Sequence, residues 1–180
     1  MATNEYRMKC RGRLAFNSIF EPYTRGGNDY GCKAIELDEA DVAKARALAR
    51  KLMTERWNGK IKSEKQLAQY FIHDGADKQQ YDGFEEGEPY FSFNSKVRPT
   101  VVDSDGRTPL DKSSGKIYSG AYCVFYFDLW AQDNENGKGI NASIVGVQFW
   151  KEGEPFSGGK PMDVDDFEAL EDEDFDDIPF

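Results

Sequence analysis

The sequence predicts a mainly β protein: a small antiparallel sheet or barrel with one α-helix, extra loops and a disordered acidic C-terminal tail. Three observations lead to this prediction. Apolar and polar residues alternate along several segments, which is the period of a half-buried strand. One segment instead has its apolar residues at helical spacing. Residues 161–180 carry ten carboxylates and no cation, which is too much charge for a segment to bury itself.

The first predicted strand runs from Tyr6 to Ile19 and has two distinct faces. Apolar residues of one parity are expected to face the core: Met8, Cys10, Leu14 and Phe16. Cations occupy the other parity: Arg7, Lys9, Arg11 and Arg13. Successive cations would lie about 6.8 Å apart, since a strand rises about 3.4 Å per residue. This spacing is comparable to that of phosphates on an extended single strand, although a solubilising, edge-protecting face is the alternative.

A short strand from Tyr30 to Leu37 and then the one helix follow. Asp38 is a favourable N-cap, and Asn58-Gly59 is a typical helix end. Apolar residues between them recur at helical spacing: Val42, Ala45, Ala49, Leu52 and Met53. The sequence therefore predicts a packing helix with a charged, solvated outer face.

The remaining elements are a possible short helix from Ser63 to Phe71 and four more strands. The predicted strands are Tyr90 to Val97, Val101-Val102 running into a turn at Asp103 to Gly106, Ala121 to Trp130, and Ile140 to Lys151, the last two joined by the loop Asp133 to Gly139. Together they form a small antiparallel sheet or barrel.

Aromatic residues are unusually abundant, with 13 Phe, 9 Tyr and 3 Trp. In the segment Ala121 to Trp130, one parity is apolar and is expected to face the core: Cys123, Phe125, Phe127 and Leu129. Rings on a half-wet face are suited to stacking on nucleic-acid bases, although any one of them can instead pack in a core. The candidates for stacking are Tyr122, Tyr126, Trp130, Phe91, Phe93 and Trp150, with Lys96 and Arg98 as further phosphate-binding candidates.

Charge and composition exclude several other kinds of protein. The net charge is −10, but all the cations precede residue 161, so the body is neutral and a basic groove is compatible with it. Three widely spaced cysteines are expected to be buried thiols of a cytoplasmic protein, because they form no metal or disulfide pattern. His73 is the only histidine and no catalytic motif surrounds it. We expect no enzymatic activity, no cofactor, no metal and no membrane span.

The chain therefore divides into a folded body, residues 1–160, and an acidic tail, residues 161–180. The tail ends on an apolar tip that a solubilising segment would not need. We expect these last residues to dock into a pocket of a partner protein: Asp176, Asp177, Ile178, Pro179 and Phe180.

Two resemblances agree with this interpretation. The body resembles a family of phage-encoded single-stranded DNA-binding proteins with an OB-fold. The similar segments are Gly83-Phe84, Tyr90 to Lys96, Arg98 to Asp103, Tyr118 to Tyr122, Lys138 to Ala142, Val147-Gln148 and Gly153 to Phe156. The last five residues are similar to the C-terminal peptide of bacterial single-stranded DNA-binding proteins, SSBs. The resemblance implies a five-stranded OB-fold barrel that coats ssDNA in the bacterial cytoplasm and recruits a helicase, polymerase or nuclease.

The sequence thus predicts a sequence-independent ssDNA-binding protein of DNA replication, recombination or repair. It leaves open whether the chain forms a homodimer. One alternative is a DNA mimic whose tail occupies the nucleic-acid groove of a host enzyme. A less favoured alternative is a Mg²⁺-dependent nuclease, which would need clustered carboxylates.

Overall fold

The computed structural model describes residues 4–23, 29–58, 68, 70–81, 83–135, 137–156 and 167–170. Within these residues the chain forms one long helix, α1, and seven strands. Their bounds are β1 Arg7–Tyr23, β2 Asp29–Ile35, α1 Glu39–Trp57, β3 Ile72–Asp74, β4 Pro89–Ser95, β5 Thr100–Val102, β6 Tyr122–Asn134 and β7 Gly137–Lys151.

Five of the strands close into a barrel. Neighbouring strands follow the order β3-β4-β2-β1-β6-β7-β5, and an additional parallel pairing of β4 with β7 joins Asn94 to Ser143. The closed circuit is therefore β1-β2-β4-β7-β6, while β3 and β5 extend it at the sides. The mainly β barrel with one helix that the sequence predicts is confirmed. The predicted long loop between the last two strands is shorter, because β6 extends to Asn134 and β7 begins at Gly137.

The barrel interior is rich in aromatic rings. The inward parity of β6 is buried as predicted, with Phe125 and Phe127 fully inaccessible. From β4, the Phe93 ring stacks on Phe125 with centroids 5.8 Å apart and packs at a tilt against Phe127 at 4.8 Å. The Phe91 ring contacts Phe127 at 5.8 Å. Phe91 and Phe93 were expected to stack on bases, and this expectation is wrong. They share the inward parity of β4 and are 0% and 3% exposed, so their rings complete the core.

The helix forms as its sequence predicts and covers the barrel beside β6 and β1. The Asp38 side chain accepts a hydrogen bond from the Ala40 amide, and Asn58 ends the helix in the left-handed conformation. Its predicted apolar stripe is buried. At its end, Trp57 Nε1 donates to Asp133 at 2.9 Å. This bond fixes the β6–β7 hairpin to the helix.

Strand β1 is interrupted by a β-bulge that reverses its parity. Ala15 pairs with Lys33 and Ser18 pairs with Gly31, so β1 has two residues where β2 has one. Phe16 lies in this bulge with a positive φ of 52° and is 40% exposed. The sequence predicts Phe16 in the core, and this is wrong, because the bulge takes Phe16 out of the regular alternation. Leu14 faces the core before the bulge and Ile19 faces it afterwards, so the inward parity changes from even to odd.

Three further expectations concern the cysteines, a second short helix and membrane spans. All three cysteines are buried and free, as predicted, and burial raises the pKa of the Cys123 thiol to about 12. The short helix predicted from Ser63 to Phe71 lies mostly outside the described residues. The one long helix described here is too polar to cross a membrane.

A substitution at Phe91 tests its assignment to the core. Phe91→Ala should lower the free energy of unfolding by about 3–5 kcal/mol, because it leaves a cavity among packed rings. Chemical denaturation followed by circular dichroism measures the loss. Phe16→Ala is the control and should cost much less, since that ring is partly in solvent. Equal losses for the two variants would contradict the assignment.

Candidate nucleic-acid interface

The four predicted cations of β1 do share the outer face of the barrel, beside the outer face of β6. Arg7 lies opposite Asp128, Lys9 opposite Tyr126, and Arg13 opposite Tyr122 in the antiparallel register. Their roles differ, however, because two of them already have strong partners. Arg7 makes a two-pronged ion pair with Asp128, with N–O distances of 2.7 and 3.0 Å. That carboxylate raises the pKa of Arg7 and neutralises its charge locally.

Arg13 is a structural residue rather than an open phosphate ligand. Its side chain is only 15% exposed and lies 3.6 Å from Glu36. Its Nε donates to the Gly120 carbonyl at 2.9 Å, and a second guanidinium nitrogen donates to the carbonyl of Glu154. The guanidinium also lies 4.4 Å from the Phe156 ring centroid. These contacts pin the segment that follows β7 onto β1.

Lys9 and Arg11 remain available to a ligand. Lys9 is exposed and makes no ion pair or side-chain hydrogen bond within the described part of the chain. Arg11 is also exposed and makes a looser contact with Asp38, at 3.3 Å. Its guanidinium lies 5.4 Å from the Trp150 ring centroid.

Trp150 stands at the centre of a cluster of rings and cations. Its ring meets Tyr122 edge to face, with centroids 6.0 Å apart. Lys151 Nζ lies 4.5 Å from the Trp150 centroid and 4.8 Å from that of Tyr122. We call the outer face around this cluster the Trp150 surface. Its members are Lys9, Arg11, Tyr122, Tyr126, Trp130, Trp150 and Lys151.

The other two aromatic members are held by hydrogen bonds at their polar ends. Trp130 Nε1 donates to Ser143 at 3.0 Å, and the Tyr126 hydroxyl donates to Gln148 at 3.1 Å. Trp130 is 43% exposed, whereas Tyr126 is half-buried. The prediction that Tyr122, Tyr126 and Trp130 face outward from β6 is therefore confirmed. The hydrogen bonds fix the orientation of the Tyr126 and Trp130 rings.

A second aromatic and cationic site lies on the outer side of β1, β2 and β4. It is an open groove of about 570 Å³, which we call the Phe16 groove. The residues that line it include Phe16, Lys33, Lys78, Tyr81 and Ser92. The Phe16 and Tyr81 rings meet edge to face with centroids 4.9 Å apart, and both are more than 39% exposed.

Two lysines flank these rings. Lys78 Nζ lies 5.4 Å from the Phe16 centroid and 5.8 Å from that of Tyr81. Lys33 Nζ lies 5.9 Å from Phe16 and donates to Ser92 at 2.8 Å. Burial lowers the pKa of Lys33, and the neighbouring charge of Lys78 lowers it further. A bound anion would relieve the repulsion between the two ammonium groups.

A small outer core joins the two sites. It contains Ala15, Ile35, Phe84 and Tyr90, with Phe156 packed against it. Phe84 contacts Phe16 on the groove side, at 5.8 Å, and Phe156 contacts Arg13 on the other side. The Phe16 groove and the Trp150 surface are therefore parts of one outer face along β1.

The last two cationic candidates lie apart from the Trp150 surface. Lys96 pairs with Asp29 at 3.3 Å, and Asp29 lines the Phe16 groove. Arg98 lies 5.7 Å from the Phe20 ring centroid. The tail residues expected to bind a partner, 176–180, lie outside the described residues.

The sequence prediction missed the groove entirely. Strict alternation along the first strand predicts that Phe16 faces inward, because the apolar residues by themselves do not show the bulge. Phe16, Lys33 and the turn that carries Lys78 and Tyr81 come from three separate segments, so only the fold brings them together. A weak signal was present at Asn17-Ser18, where two polar residues interrupt the alternation of the first strand. Lys151 was detectable as a cation directly beside Trp150.

No cluster of three or more potential metal ligands occurs within the described ranges. The outer face instead offers rings with cations beside them. Such an arrangement can stack flat, unpaired rings and neutralise anionic groups at the same time.

Comparisons with known proteins agree on one family. The family model described as Enterobacter phage Enc34, ssDNA-binding protein matches residues 8–178. Protein p50 of Acyrthosiphon pisum secondary endosymbiont phage 1 is 32% identical over 169 residues, covering 88% of this chain and 90% of p50.

Solved structures show the same OB-fold-like architecture. The single-stranded DNA-binding protein from bacteriophage Enc34 in complex with ssDNA has a TM-score of 0.72 and 23% identity, covering 87% of this chain and 96% of that one. Another structure of the Enc34 protein has a TM-score of 0.70 and 22% identity, covering 92% and 94%. The fold and the match over most of the chain lead to one conclusion: this chain belongs to the family of the Enterobacter phage Enc34 ssDNA-binding protein.

Proposed function

We propose that this protein binds single-stranded DNA without sequence preference and that the Phe16 groove is its main binding site. The observation that carries this proposal is the pair of exposed rings, Phe16 and Tyr81, flanked by Lys33 and Lys78 in one concave site. Single-strand binding combines stacking rings with a cationic groove in this way. The groove also lies on β2 and β4, the second and third strands of the barrel, where OB-folds bind oligonucleotides.

In the proposed mode, unpaired bases stack on Phe16 and Tyr81, and adjacent phosphates meet Lys33 and Lys78. Stacking is tolerant of sequence because every base has a π-face. The cations release counterions from the DNA, so affinity falls as the salt concentration rises. The function is binding rather than catalysis. The proposal is further supported by the ssDNA present in the Enc34 protein structure to which this chain is similar.

The acidic tail gives the protein a second proposed role, the recruitment of enzymes of replication, recombination or repair in the bacterial cytoplasm. Ile178, Pro179 and Phe180 would enter an apolar pocket of the partner. The neighbouring Asp176 and Asp177 would steer the approach to a basic surface.

The tail is also proposed to compete with DNA in the free protein. Phe156 is held against Arg13 between the two aromatic sites, so the chain leaves the body on the DNA-binding face. The acidic segment begins at residue 161, five residues later. Since a residue spans at most about 3.6 Å, its start lies within roughly 18 Å of Phe156. Its carboxylates can therefore reach the cations of either site.

Variants at Phe16 test the groove. Phe16→Leu keeps an apolar side chain but removes the ring, and it should weaken oligo-dT binding about 5- to 150-fold, the equivalent of about 1–3 kcal/mol for one stacked base. Phe16→Tyr restores a ring and should bind like the unmodified protein. Fluorescence anisotropy of labelled oligo-dT measures both affinities. Equal affinity for Phe16→Leu and the unmodified protein would show that the ring does not stack on DNA.

The lowered pKa of Lys33 predicts opposite pH dependences for binding and stability. As pH rises toward the ordinary lysine pKa, Lys33 loses its charge early, so ssDNA affinity should fall. Folding should gain stability over the same range, because the unfolded state binds more protons there. Lys33→Met should reduce both slopes. Affinity and denaturation measured from pH 7 upward test this, and slopes unchanged by the substitution would contradict it.

Two tail variants separate competition from recruitment. Deletion of residues 161–180 should tighten ssDNA binding, because it removes the competing carboxylates. Phe180→Ala keeps every acidic side chain and should leave ssDNA affinity unchanged while it abolishes partner binding. Titrations at low salt measure the first effect. An unchanged affinity after the deletion would contradict competition, and full partner binding by Phe180→Ala would contradict the docking of the apolar tip.

A further inference from the structure

We infer that the Trp150 surface is a second ssDNA-binding site, so that one barrel holds one strand at two places along β1. This inference rests on the proposed function and adds to it a site outside the groove. Its ligand class is the same, an unpaired nucleobase with its flanking phosphates.

The first argument is that Trp150 is exposed by a bulge, as Phe16 is. Tyr122 pairs with Lys151 and Cys123 pairs with Phe149. Trp150 is therefore the extra residue of β7, with no partner of its own on β6. Bulges re-aim side chains, and they are common beside functional sites. Phe16 and Trp150, the exposed rings on either side of the outer core, therefore both lie in β-bulges.

The second argument is the charge around the rings. Arg11 and Lys151 lie 5.4 and 4.5 Å from the Trp150 centroid, and Lys9 lies on the same face, beside Tyr126. Asp128 is neutralised by Arg7 at 2.7 Å. Two further carboxylates lie at Arg11, because Asp38 accepts from its guanidinium at 3.3 Å and Asp41 accepts from its backbone amide at 3.0 Å. The three cations Lys9, Arg11 and Lys151 outnumber these two carboxylates by one, although the whole protein is an anion.

The third argument is distance. Arg11 and Phe16 are five residues apart on β1, which is about 17 Å at a rise of about 3.4 Å per residue. One strand of duplex DNA advances about 3.4 Å along the helix axis per nucleotide, and an extended single strand advances further, so five nucleotides or fewer span this gap. That length falls within the site size of about 4–16 nucleotides for one OB-fold. A single strand can therefore occupy both sites.

The tryptophans allow a test that does not depend on the groove. The chain has three, Trp57, Trp130 and Trp150. Trp57 is buried under the hairpin, and none of the three lines the Phe16 groove. Their emission therefore reports on the Trp150 surface. Oligo-dT of about 20 nucleotides, longer than one site, is titrated into the full chain while tryptophan emission and the anisotropy of a labelled strand are both recorded.

We expect emission to be quenched in step with binding, and Trp150→Phe to lose a large part of the quenching while it still binds. Trp150→Ala should weaken binding about 5- to 150-fold. Lys151→Gln should lower the salt slope by about one, because one phosphate contact is lost. Lys44→Gln, on the exposed face of α1, is the matched control and should bind like the unmodified protein.

The outcomes separate the two claims. Binding with unchanged tryptophan emission would overturn the second site and leave the groove in place. An unaltered affinity and salt slope in both Trp150→Ala and Lys151→Gln would overturn it as well. No binding in the anisotropy channel at low salt would overturn the proposed function itself.

Discussion

The bulge in β1 is the constraint on which the rest of the outer face depends. The pairing of β1 with β6 ends at Arg13, where its pairing with β2 begins. The extra residue between Ala15 and Ser18 lies just beyond this point, within the part of β1 that pairs with β2. A bend of this kind lets a single strand take part in both sides of a closed barrel. The same residue carries a positive φ, which costs about 1–2 kcal/mol for a side chain other than glycine. Strain of this size persists only where the surroundings enforce it, and it concentrates at functional sites. Here the bulge holds the Phe16 ring partly in solvent, whereas the hydrophobic effect buries the Phe side chains of β4 and β6.

Alternation along the sequence predicts which face a side chain takes only while the pairing stays regular. On β6 it works throughout, so Phe125 and Phe127 face inward and Tyr122 and Trp130 outward. It fails after Ala15, because the extra residue leaves only a weak mark in the pattern, the adjacent polar residues Asn17 and Ser18. Phe91 and Phe93 are a different case, since the sequence does not show which face of their strand points into the barrel.

The helix could be predicted almost to the residue, because its caps and its apolar stripe are local features. The Phe16 groove could not, since it joins segments that only tertiary structure brings together.

The cations show the same limit in electrostatic terms. Their common face on β1 follows from parity, but their roles follow from partners more than a hundred residues away. The charge of Arg7 is neutralised by Asp128, and the Arg13 guanidinium already donates hydrogen bonds to the carbonyls of Gly120 and Glu154. An arginine with a fixed planar fork is well suited to such anchoring. The groove instead uses lysines, whose single charges sit on flexible stems. Burial and, after it, the charge of Lys78 lower the pKa of Lys33. In the proposed binding mode, a phosphate between the two ammonium groups would offset their repulsion.

This division of labour explains how an acidic protein can have a surface for a polyanion. The negative excess belongs to the tail, and the body is neutral, so binding depends on where its charges lie rather than on their sum. Arg13 links the two parts, because it holds Phe156 and the carbonyl of Glu154 against the face on which the rings are displayed. If the tail left the barrel at a distant point, solvent ions would screen the attraction between its carboxylates and the cations of this face, because the screening length at physiological salt is about 8 Å. Phe156 lies between the two aromatic sites, so the proposed competition has its carboxylates start close to the lysines. If the tail competes with DNA as proposed, the position of this one residue sets how strongly it does so.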